Sequence, residues 1–507
     1  GQMIAILTIG LAVVSLQLLS HNVTTKIMIT ELIVRHVVCV PGAVHYEMGA
    51  PQSDNPIRKS HVNPKTVCNL KPKMQPITTK FRLQRGVFFV KGAKRAAFYD
   101  TNSEDIFSVN ETARVGLEAI LGGVSTGEAS KKASLSYEDL ESYLHLLQNN
   151  KLIIEEMDNQ PTEDLLTKNI SPQVEFAWLE LTKGCNLRCL HCYNESDMTK
   201  PTESRGKKIL KHEDWERVIC QLSDMGVGMI QFIGGEPFLY KRIFDLAEFA
   251  QMRGIKTQEI FTNGTLIDVE KVKKIKDLGL HVAVSLYGHS ADVHDRITSQ
   301  QGSFEQTVRG IHLLKDSSVP LRISTIAMRD NEACIDEVLS YIRNDLKVGS
   351  RGYDIVRPIG RGFNEDLVPK LLCEKNLMKS ANFQGVDIKT FLQRSHHNPC
   401  LYGKLYFDVY GDVFPCVMER EESLGNIKSQ TVEEILAGDI SRKYQDLTKD
   451  HIESCKDCEY RLACFDCRPK AKEVGNYLAK PKECLYNHYT GIWGEQVEES
   501  PRLARAV

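Results

Sequence analysis

Cys185, Cys189 and Cys192 form a C-x3-C-x2-C run. Three thiolates this close can wrap one iron–sulfur cubane and leave its fourth iron without a protein ligand. Such an iron can chelate an amino and a carboxylate group, as S-adenosylmethionine offers. A reduced cluster can then pass one electron into the sulfonium. The C–S bond breaks to methionine and a 5′-deoxyadenosyl radical, which abstracts unactivated hydrogen atoms. The cofactor carries that chemistry, and the protein has to orient it. A zinc loop is the competing interpretation. Zinc wants a fourth protein ligand, and His191 sits between the thiols rather than beyond them.

A second group follows late in the chain. Cys400, Cys416, Cys455, Cys458, Cys464, Cys467 and Cys484 read as C-x10-G-x4-C, a gap, C-x2-C-x5-C-x2-C, a gap and a last Cys. The central four alone would suit a zinc knot. Behind an upstream triplet, seven thiols favour further iron–sulfur clusters. Cys39, Cys68, Cys220, Cys334 and Cys373 are isolated, and isolated cysteines mostly behave as small hydrophobes. His396 and His397 read as loop residues. Ten of the fifteen cysteines fall at metal-ligand spacings, which points to a reducing compartment, hence the cytoplasm.

These residues need elements to hold them. The 507 residues suggest about three domains. Residues 3–19 are apolar, but no Lys or Arg precedes them and no small-residue cleavage site follows. At seventeen residues including Thr, Ser and Gln the run is short for a membrane span. Residues 1–78 are expected to be accessory or an over-extended start. In 79–165, Val87–Val90, Ala96–Tyr99 and Ile106–Val109 read as strands, the first two joined as a hairpin. Helices are expected at 111–121 and from Ser136, with Gly122–Ser134 a loop, which together suggest a winged-helix-like module.

From 171 to 370, six β-runs alternate with amphipathic helices. The strands are expected at 175–181, 229–233, 259–262, 282–286, 321–327 and 353–356. That pattern predicts an α/β fold with a parallel sheet, an open barrel or a doubly wound layer, whose site lies at the strand C-terminal ends. Residues 395–490 read as a short-element, Cys-rich domain. A net charge of −2 gives nucleic acid no electrostatic handle.

The triplet resembles the radical SAM signature, and the likeness extends to Gly234-Gly235-Glu236-Pro237 after the second strand. The resemblance implies a partial (β/α)6 TIM barrel. It also implies that Gly234, Gly235, Glu236 and Pro237 hold the amino group of S-adenosylmethionine, with Tyr193 against adenine and Asn263 and Ser285 as further contacts. Arg296, in His294-Asp-Arg, could meet the carboxylate or form a surface ion pair. Arg357 is a further candidate contact. Tyr287 stands where relatives more often carry Asp, so that Asp's role is not carried over. The late cysteines resemble the SPASM domain, with x2 for x3 between Cys464 and Cys467. This likeness implies an auxiliary cluster at Cys400, Cys416 and Cys467 and another at Cys455, Cys458, Cys464 and Cys484, so three [4Fe–4S] clusters in all. Cys373 is a candidate fourth ligand of the first.

The N-terminal module resembles a PqqD-like peptide-recognition element, which adds a leader peptide as an edge strand. Together these resemblances imply an oxidoreductase that crosslinks residues of a ribosomal precursor peptide, with a thioether the leading bond type. A flavodoxin- or ferredoxin-type protein would donate electrons. No catalytic acid or base is singled out. Sulfatase formylglycine maturation is an alternative, but Val417 occupies the place of its base Asp. Maturation of a peptide-derived or other cofactor is a second alternative, and a non-catalytic peptide-binding protein is a third.

Overall fold

A computed structural model describes residues 80–156, 174–196, 198, 208–465, 467–471 and 476–494. The expectations for residues 1–78, including the apolar run, Cys39 and Cys68, lie outside the described residues.

The chain first builds β1 (Phe81–Leu83), β2 (Val87–Lys91), β3 (Ala96–Asp100) and β4 (Asp105–Val109). Strands β2, β3 and β4 form an antiparallel sheet, with β2 and β3 joined as the expected hairpin. Helices α1 (Glu111–Leu121), α2 (Thr126–Ala133) and α3 (Tyr137–Asn149) follow. Next, β5 (Ile153–Glu155) returns to pair antiparallel with β1. Helix α2 corrects the expected loop. Its stretch, Thr-Gly-Glu-Ala-Ser-Lys-Lys-Ala, lacks an apolar stripe. Ser125 nevertheless caps it by accepting from the Glu128 amide, and Ala129 and Ala133 bury a face of small residues.

The two faces of this sheet pack differently. Phe98 and Val109 join a core with Leu117, Leu140 and Leu144 of the helices. Val90, Ala97, Tyr99 and Ile106 instead pack on Phe391, Tyr460 and Tyr486 from the Cys-rich region.

Six strands then alternate with helices: β6 (Phe176–Glu180), β7 (Met229–Ile233), β8 (Thr257–Thr262), β9 (His281–Ser285), β10 (Leu321–Ala327) and β11 (Gly349–Ile355). Each pairs parallel with its successor, as βαβ crossovers require. Their helices bury regular stripes. In His212–Asp224, Trp215, Val218, Ile219 and Leu222 are wholly buried at helical spacing. The result is the open (β/α)6 barrel.

The barrel sheet also continues into the Cys-rich region. Strand β12 (Lys404–Phe407) pairs parallel with β6, and β13 (Asp412–Phe414) and β14 (Gly425–Asn426) extend it antiparallel. One nine-stranded sheet therefore carries both cysteine regions. Among the described residues, no helix is long and apolar enough to cross a membrane.

Candidate functional site

The cysteine triplet lies in the loop leaving β6, at the C-terminal end of the parallel sheet. Two neighbouring loops hold it. The Gly235 amide donates to Thr182 O at 2.7 Å and the Glu236 amide to Gly184 O at 2.8 Å. A Cβ on Gly235 would stand 2.1 Å from Gly184 O, and one on Gly234 2.7 Å from Thr182 O. Both glycines are thus demanded by backbone-to-backbone approach. From the other side, the Arg361 amide donates to Cys192 O at 3.0 Å. Its side chain donates to Cys189 O at 2.8 Å and Ser196 O at 2.9 Å. Gly360, at φ +58°, lies so close that a Cβ would meet Tyr193 O at 2.5 Å. The segment Arg357–Gly362 is therefore a latch over the triplet loop. Sequence reasoning singled out Arg357 and missed Arg361, because its partners are carbonyls more than 160 residues away.

Burial pushes the Cys185 thiol up to about 12, with Glu236 and Cys192 adding to the rise. Burial raises Cys189 as well. Thiols this poor at ionising become thiolates when the irons of a cluster take them. Asn263 lies beside Cys185, its side-chain amide 3.9 Å from the sulfur and 2.9 Å from Asn186 Oδ1.

Glu236 joins two of the loops around the triplet. It is wholly buried, and its carboxylate accepts from Thr262 Oγ1 at 2.7 Å, the Asn263 amide at 2.9 Å and the Phe238 amide at 3.1 Å. It braces the loop after β7 against the loop after β8. Burial raises it to about 7 despite these donors. Pro237 starts the short turn that follows.

His294 accepts from the Tyr287 amide at 3.2 Å and its ring lies alongside that of Tyr287. Asp295 receives Gly302, Ser303 and Phe304 and so caps the next helix. Arg296 takes the surface alternative: it is half-exposed, 3.5 Å from Asp330. Tyr287 shares a hydrogen bond with Ser285 and packs edge-on against His191, filling the place of the absent Asp with an aromatic wall. Burial takes His191 down to about 3, so it stays neutral.

A second missed feature is a buried polar network joining the triplet loop to the Cys-rich region. Glu180 is wholly buried and accepts from Lys183 at 2.9 Å, Asn194 at 2.8 Å and the Tyr406 hydroxyl. Arg420 donates to Asn194 at 3.0 Å and to Val417 O at 2.7 Å. Its guanidinium lies 4.9 Å from the Tyr193 ring centroid and 4.5 Å from that of Tyr406. Tyr193, expected against adenine, thus has a cation over its ring. Buried charges persist only when paired and hydrogen-bonded, and here one carboxylate meets two cations.

The late cysteines sort into two groups. Cys400 shares a hydrogen bond with Cys467, and Cys416 acts electrostatically on both. Arg357 donates to Cys467 Sγ at 3.0 Å. Burial opposes its charge, but Cys467, Asp354, Cys416 and Cys400 outweigh that. Arg357 therefore faces these thiols rather than the triplet. Cys455, Cys458, Cys464 and Cys484 line a separate pocket with Tyr460, Tyr486 and Trp493. Lys449, almost wholly buried, donates to Cys464 Sγ at 3.5 Å. A cation beside each group suits thiolate-ligated clusters, which carry net negative charge.

Among the described residues, no three His, Cys, Asp or Glu side chains converge as ligands of one ion. A four-iron cluster is a larger body and sets its thiolates further apart. The electrostatic neighbours of Cys373 are Lys482, Lys470, Glu483 and Glu332, and it lines a cavity of about 680 Å³ with Phe363, Met418 and Arg420.

Residues 179–342 match the family model described as the Radical SAM superfamily, and residues 400–459 match the SPASM iron–sulfur cluster-binding domain. The AdoMet-dependent heme synthase of Methanosarcina barkeri is 28% identical, over 61% of this chain and 95% of its own length. The antilisterial bacteriocin subtilosin biosynthesis protein AlbA of Bacillus subtilis is also 28% identical, over 66% of this chain and 77% of its own. The PqqA peptide cyclase of Rhizobium meliloti is 24% identical over 60% of this chain and 85% of its own.

Proposed function

For a chain that joins a radical SAM domain to a SPASM iron–sulfur domain, we propose a peptide maturase that crosslinks residues of a ribosomally made precursor, with a thioether the leading product. The observation that carries this reading is the division of ten cysteines into three groups, one at the sheet's C-terminal ends and two in the region that extends the same sheet. Cys185, Cys189 and Cys192 would hold the cluster that binds S-adenosylmethionine. Cys400, Cys416 and Cys467 would hold one auxiliary cluster, and Cys455, Cys458, Cys464 and Cys484 the other.

When bound, the triplet's cluster supplies an electron to S-adenosylmethionine and so a carbon radical that takes hydrogen from the substrate. The protein's own part is to place and enclose. Arg361 and the Gly234–Gly235 backbone fix the triplet loop, and Glu236 fixes Asn263 beside Cys185. Tyr287, His191 and His294 form a wall that burial keeps neutral. Packed together, these rings would help to exclude water from the site.

A peptide substrate is supported by the names of two relatives, a bacteriocin biosynthesis protein and a peptide cyclase. The antiparallel sheet β2–β4 and its helices would receive the leader, as a winged-helix-like recognition module over 79–165. A flavodoxin- or ferredoxin-type donor would supply electrons. The heme synthase relatives favour a second reading, maturation of a cofactor. Reconstituted enzyme, reductant, S-adenosylmethionine and the small peptide encoded beside its gene decide between them. A peptide lighter by two hydrogens supports crosslinking. A peptide of unchanged mass, from enzyme that does cleave S-adenosylmethionine, refutes it.

A further inference from the structure

The N-terminal module does not simply touch the Cys-rich region; it sits on the loop strung between the cysteines of one group. The Ala93 amide, in the β2–β3 turn, donates to Asp457 O at 2.7 Å. The Tyr99 hydroxyl donates to Glu459 O at 2.9 Å. Arg461 returns a hydrogen bond to Lys91 O at 2.8 Å while also holding Cys458 O at 3.1 Å. Gly92 lies so near that a Cβ would meet the Glu459 amide nitrogen at 2.8 Å. Around these bonds, Tyr99 stacks edge-on to Phe391, and Phe88 lies parallel to it at 4.0 Å.

The hairpin is a regular element with its own ladder. The loop it sits on is not. Between Cys455 and Cys464 no helix or strand forms, and the backbone is held by single turns such as Cys458 N to Cys455 O at 3.0 Å. Three of the four thiols of this group lie at or within the ends of that loop, and Cys484 closes the pocket beside it. The carbonyls that receive the hairpin belong to Asp457 and Glu459, on either side of Cys458. The positions of these acceptors follow from how the thiols are gathered.

We propose that the iron–sulfur group held by Cys455, Cys458, Cys464 and Cys484 anchors the seat of the N-terminal module, so that its loading decides whether the module docks. This rests on the reading that these thiols ligate a cluster. The coupling is reciprocal: a seated module also holds the loop closed around the cluster. Binding that selects one loop conformation stabilises whatever is built on that conformation.

The test uses the full chain, reconstituted without oxygen. The double variant Cys455→Ser with Cys458→Ser is compared with the wild type by iron content and amide exchange, the barrel helix His212–Asp224 serving as internal control. The proposal expects a loss of about four irons per chain. It also expects exchange across 87–100 to be faster on the order of tenfold, with the control helix unchanged. A second variant, Tyr99→Phe with Arg461→Gln, keeps every thiol. It should retain wild-type iron yet release about four irons per chain several-fold faster to a chelator. The proposal is overturned if the hairpin exchanges at the wild-type rate in a cysteine variant shown to have lost that iron. If the control helix also opens, the second variant decides, and unchanged iron release overturns the proposal. Wild-type enzyme holding iron only at the other two groups would overturn both the premise and the inference, whereas the hairpin result alone leaves the premise intact.

Discussion

Replacing Arg361 by Met tests whether the latch over the triplet loop is what holds it in shape. The substitution keeps an aliphatic stem and removes two hydrogen bonds, to Cys189 O at 2.8 Å and Ser196 O at 2.9 Å. Bonds from a charged donor contribute about 1.5–3 kcal/mol each. The side chain is half-buried, which favours the lower figure, so the pair sums to about 3 kcal/mol of local stability. That is roughly a hundredfold in the equilibrium between closed and open loop. Global unfolding should move less, because the loop opens without the barrel. The assay is amide exchange over 189–196 in iron-free protein, paired with the rate at which loaded enzyme loses iron to a chelator. Exchange should rise by about two orders of magnitude, with iron loss faster in step. Wild-type exchange and wild-type iron retention in Arg361→Met would refute the latch, because no other described side chain donates to Ser196 O.

Three further outcomes are expected. Gly235→Ala sets a Cβ 2.1 Å from Gly184 O, so it should cost about 3 kcal/mol and leave a chain without iron at the triplet, read by thermal melting and iron content. Asp408 is buried, and burial, with Glu180 and Asp412 adding, raises its carboxyl from 3.8 to about 6. Between those values the folded chain binds more protons than the unfolded one, so stability falls as pH rises and the loss is complete above about pH 6. Asp408→Asn keeps an oxygen for the Tyr410 and Asp412 amides and should raise the melting temperature at pH 8 but not at pH 4; an equal change at both would contradict this. Finally, Cys416→Ala and Cys464→Ala should each remove about four irons per chain, and the double variant about eight. A double variant that loses no more than either single would mean one shared cluster.

The barrel was legible because its strands are rich in β-branched and aromatic residues, such as Ile230, Phe232 and Ile233 of β7, and its helices carry clear stripes. The triplet, Gly234–Pro237 and the late cysteines announced themselves by spacing. What escaped was long-range. Nothing local marks Lys404–Phe407 as a parallel neighbour of β6, since that pairing joins residues more than 220 positions apart. Arg361 and Arg420 look like ordinary surface cations until the fold brings carbonyls and rings to them. The motif placed Glu236 in the right loop but did not reveal its bonds to Thr262 and the Asn263 amide, because a motif gives a residue's position and not the direction of its side chain. Helix α2 escaped because small residues bury a face without apolar periodicity.

The central claim is that the triplet makes a radical from S-adenosylmethionine. Loaded wild-type enzyme, given dithionite, S-adenosylmethionine and the candidate peptide, should form 5′-deoxyadenosine, and Cys185→Ala, with its auxiliary iron intact, should form none. Fully loaded wild type that yields no 5′-deoxyadenosine, or a Cys185→Ala variant that yields as much, would contradict the account.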